Sequence, residues 1–374
     1  MGTDFLRLHR DVCFGESGGK IIWQPRIACW YTDKRFAGEA LPEPFTGMDL
    51  PEIYRELNCS ARIYDYTRCF RPVEHPASYQ TKRELNETDT EFTIHTPVGR
   101  QVSVIRRTPN SPSTIQLKWE IESEEEMRVA TWRAENRTWV WDEEAFADVY
   151  RKWGQLGAPT MYILRVTVQD LFIQTMGVEN AIYGLYDWPD TVETYFRALN
   201  ECQERLIDVI NASPVEIINF GDNLHAGTLS PSLFQKYVLP VYQQRCEKLH
   251  AVGKFVHSHW DGDTKALLPF AQETGLDGIE AVTPKPQGDV TLEEIKAALG
   301  DNMFLLDGIP AILFDDYSPV SMLEDYTYRL IELFAPNLIL GISDELSSTG
   351  DIERVRLVGR IVDDYNRHSC SSTS

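Results

Sequence analysis

The sequence predicts an α/β fold, a (β/α)8 barrel carrying an antiparallel β insertion in its N-terminal half, and three observations lead there. From residue 144 onward short apolar runs alternate with longer amphipathic segments, the mark of successive βα units around a parallel sheet. Six such runs lie in that part, and two more near the N-terminus bring the count to the eight a barrel needs. Between about 67 and 141 the alternation breaks off and a hairpin pattern replaces it.

In chain order the expected strands are 21–29, 61–66, 160–166, 215–220, 254–259, 277–282, 303–307 and 337–342. Each of the last six is followed by a segment long enough for a crossover helix. Ser230 and Pro231 supply an N-cap and a first-turn proline for a helix over 233–251, and Gly253 lies just past its end. Thr291 with Glu294 makes a capping box for a helix through Leu299, closed by Gly300. Helical spacing also marks 323–334 and 351–366, and the serine-rich tail 367–374 is expected to fray. Within the insertion, 91–96 and 101–107 flank a turn at 97–100, with 114–121 and 129–141 as further strands. Trp119, Trp132, Trp139 and Trp141 are expected to pack this small sheet in preference to forming a ligand cage. The whole chain, 1–374, reads as a single barrel domain with 67–141 inserted in it.

Composition narrows the function. With 36 Lys and Arg against 57 Asp and Glu, the net charge is −21, which repels phosphate backbones and anionic lipid, so neither nucleic acid nor membrane is expected as a partner. Seven cysteines without a CxxC pair read as reduced thiols. The charged first ten residues do not make a signal peptide and no apolar run is long enough to span a bilayer, so a cytoplasmic location is expected.

Barrel chemistry sits at the C-terminal ends of the strands, so polar residues there carry weight. His257 and His259 stand at i and i+2 at the end of an apolar strand, point to one face, and together suit a metal ion; a pair of hydrogen-bonded, half-buried histidines is the structural alternative. Glu280 lies in the next apolar strand, where an unpaired carboxylate is costly. Asp344 follows the last strand, which closes against the first, and is otherwise a loop acid. Asp222 and Asp307 stand at other strand ends as candidates for orienting substrate or moving a proton.

The segment 221–365 resembles the uroporphyrinogen decarboxylase superfamily, which holds both the decarboxylase and zinc-dependent methyltransferases acting on corrinoid-bound or thiol-bound methyl groups. The match runs through Asp222, the Ser230-Pro231 helix start, Pro240 with Tyr242, the stretch from Val256 to Gly262, the strand ending in Glu280 and the one before Asp344. The N-terminal half matches only in outline, through Trp23 to Arg26. In the methyltransferase branch these positions hold zinc, which here implies His257, His259, Glu280 and Asp344 as ligands. Two thiolate positions are replaced, by His259 and Asp344, leaving an N2O2 set that suits zinc and is also open to iron or manganese. The decarboxylase's N-terminal arginine and aspartate motifs have no clear counterpart.

The resemblance therefore implies a methyltransferase in which zinc, or another divalent metal, binds the heteroatom of a small methylated or methyl-accepting substrate, with the corrinoid supplied by a partner protein. Asp222, Asp307 and His257 are then the catalytic candidates. The rival is a metal-free decarboxylase or lyase in which His257, His259 and Asp222 handle protons while Arg26 or Arg165 binds a carboxylate. A ligand-binding relative with a degenerate site is the third reading.

Overall fold

The computed structural model describes residues 3–109, 111–163 and 165–369 of the chain. Seven parallel strands form one curled sheet: β1 (Ile22–Trp23), β2 (Thr160–Ile163), β3 (Ile217–Leu224), β4 (Phe255–Trp260), β5 (Gly278–Glu280), β6 (Phe304–Pro310) and β7 (Leu338–Ser343). Their spatial order is β1-β7-β6-β5-β4-β3-β2, so the first strand pairs with the last and the sheet wraps until only β1 and β2 are left as edges.

The segment 60–63 lies between those edges. Ser60 N donates to Trp23 O (3.0 Å), Ala61 N donates to Leu156 O (2.8 Å), and Ile63 makes a single parallel bridge with Pro159. The strand expected over 61–66 is thus one bridge followed by a 3-10 helix, Tyr64–Cys69. Its ladder stops where Arg62 and Tyr64 turn inward to meet a buried carboxylate. The strand expected over 21–29 is likewise cut to Ile22–Trp23, because Pro25 has no N–H to continue a ladder and Ala28–Phe36 is a helix.

After the first helical turns the chain departs further from simple expectation. The helix read over 233–251 contains a π-helical stretch, Phe234–Val238, ahead of Leu239–His250. Pro240 explains it: the ring removes one N–H and would collide with a carbonyl a turn earlier, and the wider turn relieves both. The last helix runs Ile352–Ser369, so 367–369 are helical, while the remainder of the expected tail, 370–374, lies outside the described residues.

Between 70 and 141 the backbone forms a four-stranded antiparallel sheet, Tyr79–Glu84, Asp89–Thr96, Gly99–Arg107 and Thr114–Lys118, and a two-stranded ribbon, Phe70–Val73 with Thr138–Trp141. The strand expected over 129–141 is corrected: Glu124–Asn136 is a helix, and only Thr138–Trp141 is extended. Ser123 caps that helix by accepting from Glu126 N, three glutamates favour its positive N-terminus, and Ala130 and Ala134 suit its interior. Trp139 and Trp119 fasten this region to the rest of the chain, and Trp141 packs within its ribbon. Trp139 Nε1 donates to Cys202 O, Trp141 packs edge-on to Phe70, and Trp119 lies where a side chain at Gly177 would stand.

Outward faces of the strands join the helices in the main apolar cluster. The N-terminal end of the sheet is closed by an N-terminal helix, Phe5–Cys13, which the sequence reading left out. Its buried face of Phe5, His9, Val12 and Cys13 sits under Ile22, Ile217, Phe255, Phe304 and Ile339. No helix among the described residues is long and apolar enough to cross a membrane.

His9 in this plug gives the fold a pH signature. Its Nδ1 accepts from Ala158 N (3.2 Å), and burial, aided by the nearby Arg62 charge, lowers its pKa from 6.5 to about 3. The unfolded chain therefore takes up a proton that the folded one refuses between those values. Stability from this group is complete above pH 6.5 and falls as pH drops toward 3, by on the order of a few kcal/mol in all. Urea unfolding at pH 7 and pH 4.5 should show a smaller difference for His9→Gln than for the parent; an unchanged difference would refute the assignment.

Candidate functional site

Along the sheet the inward side chains change from apolar at the N-terminal end to polar at the C-terminal end. Phe255, His257 and His259 face inward on β4 while Val256, Ser258 and Trp260 face the helices, as strand alternation requires. Register places His259 opposite Glu280 and His257 opposite Asn219.

Glu280 is fully buried and is the acceptor for most of this layer. Arg62 Nη1 donates to its Oε1 at 2.8 Å, Tyr64 OH lies 2.9 Å from both oxygens, Arg26 Nη1 is 3.4 Å away, and Asn219 Nδ2 also donates to it. Arg62 continues across to Asp307, its Nη2 donating to Oδ1 at 2.9 Å and its Nη1 to Oδ2 at 3.1 Å. Arg26 reaches Glu345 at 3.3 Å and stands 4.0 Å from Asp307. Two guanidinium groups thus hold three carboxylates. By alternation Asp307 would face the helices, since Leu306 faces inward, but its left-handed backbone (φ 77°) turns the carboxylate in, and Gly341 on β7 leaves room that a Cβ would fill. Asp344 (φ 72°) and Ala281 (φ 66°) are strained in the same way at the neighbouring strand ends.

The electrostatics separate the two acids. Burial alone would raise Glu280, but Arg62 and the adjacent imidazoles outweigh it and hold the carboxylate well below its ordinary range. Asp307 goes the other way: burial prevails over Arg62, the Glu280 charge adds to it, and its pKa rises to about 6. Burial lowers His257 against the opposing pull of Glu280, keeping the imidazole neutral.

Nearer the mouth, His259, Asp261 and Asp344 each present a ligand-type atom, all within 4.8 Å of one another. His257 Nδ1 and His259 Nδ1 lie 3.2 Å and 3.6 Å from Glu280 oxygens, but neither is aligned for a hydrogen bond, so both buried ring nitrogens lack one. Two carboxylates with no arginine or lysine partner among the described residues, next to an imidazole nitrogen, fit a divalent cation.

The four residues expected as one ligand set therefore divide. His259 and Asp344 come together, with Asp261, which sequence reasoning missed. Glu280 and His257 lie alongside, Glu280 with its oxygens already taken by Arg62, Tyr64 and Asn219. Arg26 is in the cluster and bound to carboxylates of the chain itself. Arg165 is not in it: its Nη1 donates to Gln174 and its carbonyl accepts from Gln203. Asp222 is also apart, fully buried behind the sheet, accepting from Val166 N (2.7 Å) and Tyr242 OH, with burial raising its pKa. Arg62, Tyr64 and Asn219 went unread although alternation signals them. Arg62 and Tyr64 repeat the i, i+2 spacing of the histidines, and Asn219 is an amide inside an otherwise apolar run.

Arg62 has 3% of its side chain exposed, and both partners are fully buried. Arg62→Met should strand two carboxylates and destabilise the fold by about 3–5 kcal/mol in urea unfolding at pH 7.5, with a smaller loss at pH 5, where Asp307 takes up a proton. A loss under about 1 kcal/mol would show the network to be dispensable.

Residues 169–316 match the family model for uroporphyrinogen decarboxylase (URO-D). No curated protein sequence matches the chain. Among solved structures, a methyltransferase from Methanosarcina mazei is similar over 98% of this chain and 99% of its own, with 13% identity and a TM-score of 0.59. Lesser likenesses include the GH18 chitinase ChiB of Flavobacterium johnsoniae (11% identity, 61% of this chain and 82% of that one, TM-score 0.37). Another is a D-psicose 3-epimerase crystallised with D-fructose (8% identity, 65% and 86%, TM-score 0.40). At such identity the first of these shows a shared fold from end to end, of the barrel type. The family pattern lies across β3 to β6, where Asp222, His257 and Glu280 stand, and over that stretch the chain is similar to the uroporphyrinogen decarboxylase family, the resemblance its motifs carry.

Proposed function

We propose that this protein is a metal-dependent methyltransferase that moves a methyl group between a small methylated substrate or thiol and a corrinoid carried by a partner protein. The observation that carries the reading is the convergence of His259, Asp261 and Asp344 from two strand ends at the sheet's C-terminal rim. The end-to-end likeness to a methyltransferase agrees with it, and in this reading 60–63 is the eighth stave of a barrel closed around the site.

A divalent cation, zinc in the first instance, held by His259, Asp261 and Asp344 supplies Lewis acidity toward the substrate heteroatom. The chain's own residues do the rest. Glu280, charged and fixed by Arg62, Tyr64 and Asn219, is the anion beside the two imidazoles. His257, buried and neutral, lies beside the reacting region without competing for a proton. Asp307, with its pKa at about 6, exchanges a proton near neutral pH and is the proton holder of the site. Arg26, 15% exposed against 3% for Arg62, is the more open of the two arginines of the cluster and orients an anionic part of the substrate.

The second reading, a metal-free decarboxylase acting on a small carboxylate, draws on the same Asp307 and Arg26, a protonatable buried acid beside a guanidinium. Metal content separates the two. Protein purified without chelator or a metal-affinity tag should carry about one divalent ion per chain by elemental analysis. His259→Ala and Asp344→Ala should each lower that content at least tenfold, and methyl transfer from methylcobalamin to a thiol should fall with it. Metal content no higher in the parent than in His259→Ala would leave the decarboxylase reading in its place.

A further inference from the structure

The two histidines are borne by a strand whose partner bulges at the decisive point. Between the pairs Ser258 with Phe220 and Trp260 with Leu224, β3 advances four residues while β4 advances two. The extra residues of β3 fall within Gly221, Asp222 and Asn223, the last with left-handed backbone (φ 50°), and the β4 residue opposite them is His259. Pairing with β3 therefore does not fix the direction of His259, which is held in register only on its other side, by Glu280 of β5.

Something else spans the bulge. Behind the sheet, away from the cluster, Tyr242 on the helix Leu239–His250 donates its hydroxyl proton to Asp222 Oδ2, and its oxygen lies 2.8 Å from Ser258 Oγ. Each hydroxyl has one proton. With the proton of Tyr242 given to Asp222, Ser258 donates in turn, its reachable acceptors being Tyr242 and Phe220 O (3.1 Å). Asp222 Oδ1 is held by Val166 N, so the chain of bonds ties the loop after β2, the bulge of β3 and the middle of β4 to one helix. Asp222, Tyr242, Ser258 and Phe220 are all fully buried, and Tyr242 packs on the Phe220 ring at 5.0 Å. Ser258 is the residue between the two histidines, so whatever holds it sets both.

We infer that Tyr242 and Ser258 are positioning residues: with Asp222 they form a clasp on the outer side of the sheet that fixes the β3 bulge and thereby aims His259 at Asp261 and Asp344. This rests on the proposed metal-binding reading and gives Asp222 a part in it other than proton transfer. Outer partners that orient a ligand typically change metal affinity by about 10–100-fold when removed.

The test uses Co2+ alone, added to metal-stripped full-length protein, with affinity taken by calorimetry and geometry by the visible absorption of the bound ion. Tyr242→Phe should weaken Co2+ binding about tenfold or more and alter its absorption. Ser258→Ala, which leaves the bond between Tyr242 and Asp222 in place and guards against a Tyr242 variant that fails to fold, should do the same to a smaller degree. Tyr195→Phe is the matched control, removing another buried tyrosine bond to a carboxylate, Asp170 at 2.7 Å. It should lower the unfolding temperature and leave Co2+ affinity and absorption unchanged. If the Tyr242 and Ser258 variants keep the parent's affinity and spectrum and lose only thermal stability, the clasp inference is wrong and the metal reading stands. If the parent itself binds no Co2+, both fall.

Discussion

A charge buried in a protein core survives only when an opposite charge and enough hydrogen bonds replace the water it has lost, and in this fold Arg62, between Glu280 and Asp307, meets that condition. The guanidinium is planar and forked, so it satisfies carboxylates on two adjacent strands at the same time. Much else follows from it. The segment 60–63 lies against both edges of the sheet while Arg62 reaches through to β5 and β6, so one side chain ties the N-terminal half to the C-terminal half. Asp307 adopts a left-handed backbone to present its carboxylate, and that conformation is tolerable because the ion pair holds it.

This network also divides the polar interior into two levels. In the deeper one the acids are matched by Arg62 and Arg26, with a phenol and an amide filling the remaining lone pairs of Glu280. In the shallower one Asp261 and Asp344 stand beside His259 with no cation of the chain among the described residues to balance them. The first level has the composition of a support and the second that of a binding site, and His259 belongs to both, touching Glu280 on one side and the acid pair on the other.

The sequence made the sheet legible because its strands are continuous apolar runs, buried on both faces, with capped helices between them. It failed where tertiary contacts overrode local pattern. A run such as 61–66 looks like any other strand, but Arg62 and Tyr64 are drawn inward by a partner more than two hundred residues away, which no local window contains. The run 129–141 holds enough β-branched and aromatic residues to read as extended, yet the cap at Ser123 and three glutamates after it determine a helix. At the site, His257, His259 and Glu280 could be read because ligand-type residues are anomalous in apolar strands. Asp261 could not, since an aspartate one residue past a strand resembles any loop acid until Asp344 is seen beside it.

Under the proposed metal-binding reading, a histidine and an aspartate stand where the resemblance implies thiolates, and that exchange has a physical setting. A thiolate site is soft and holds zinc by covalency, with little need for surrounding negative charge. A site of one imidazole and two carboxylates is harder and depends on net charge and on accurate direction, because oxygen ligands bind largely through electrostatics. Both requirements appear as structure: the acids of the upper level are left unneutralised, and the strand carrying His259 is tied at its bulge by buried hydroxyls. Under this argument the change of ligand type and the clasp behind β4 belong together, since a ligand set that gains less from covalency loses more from each degree of misdirection.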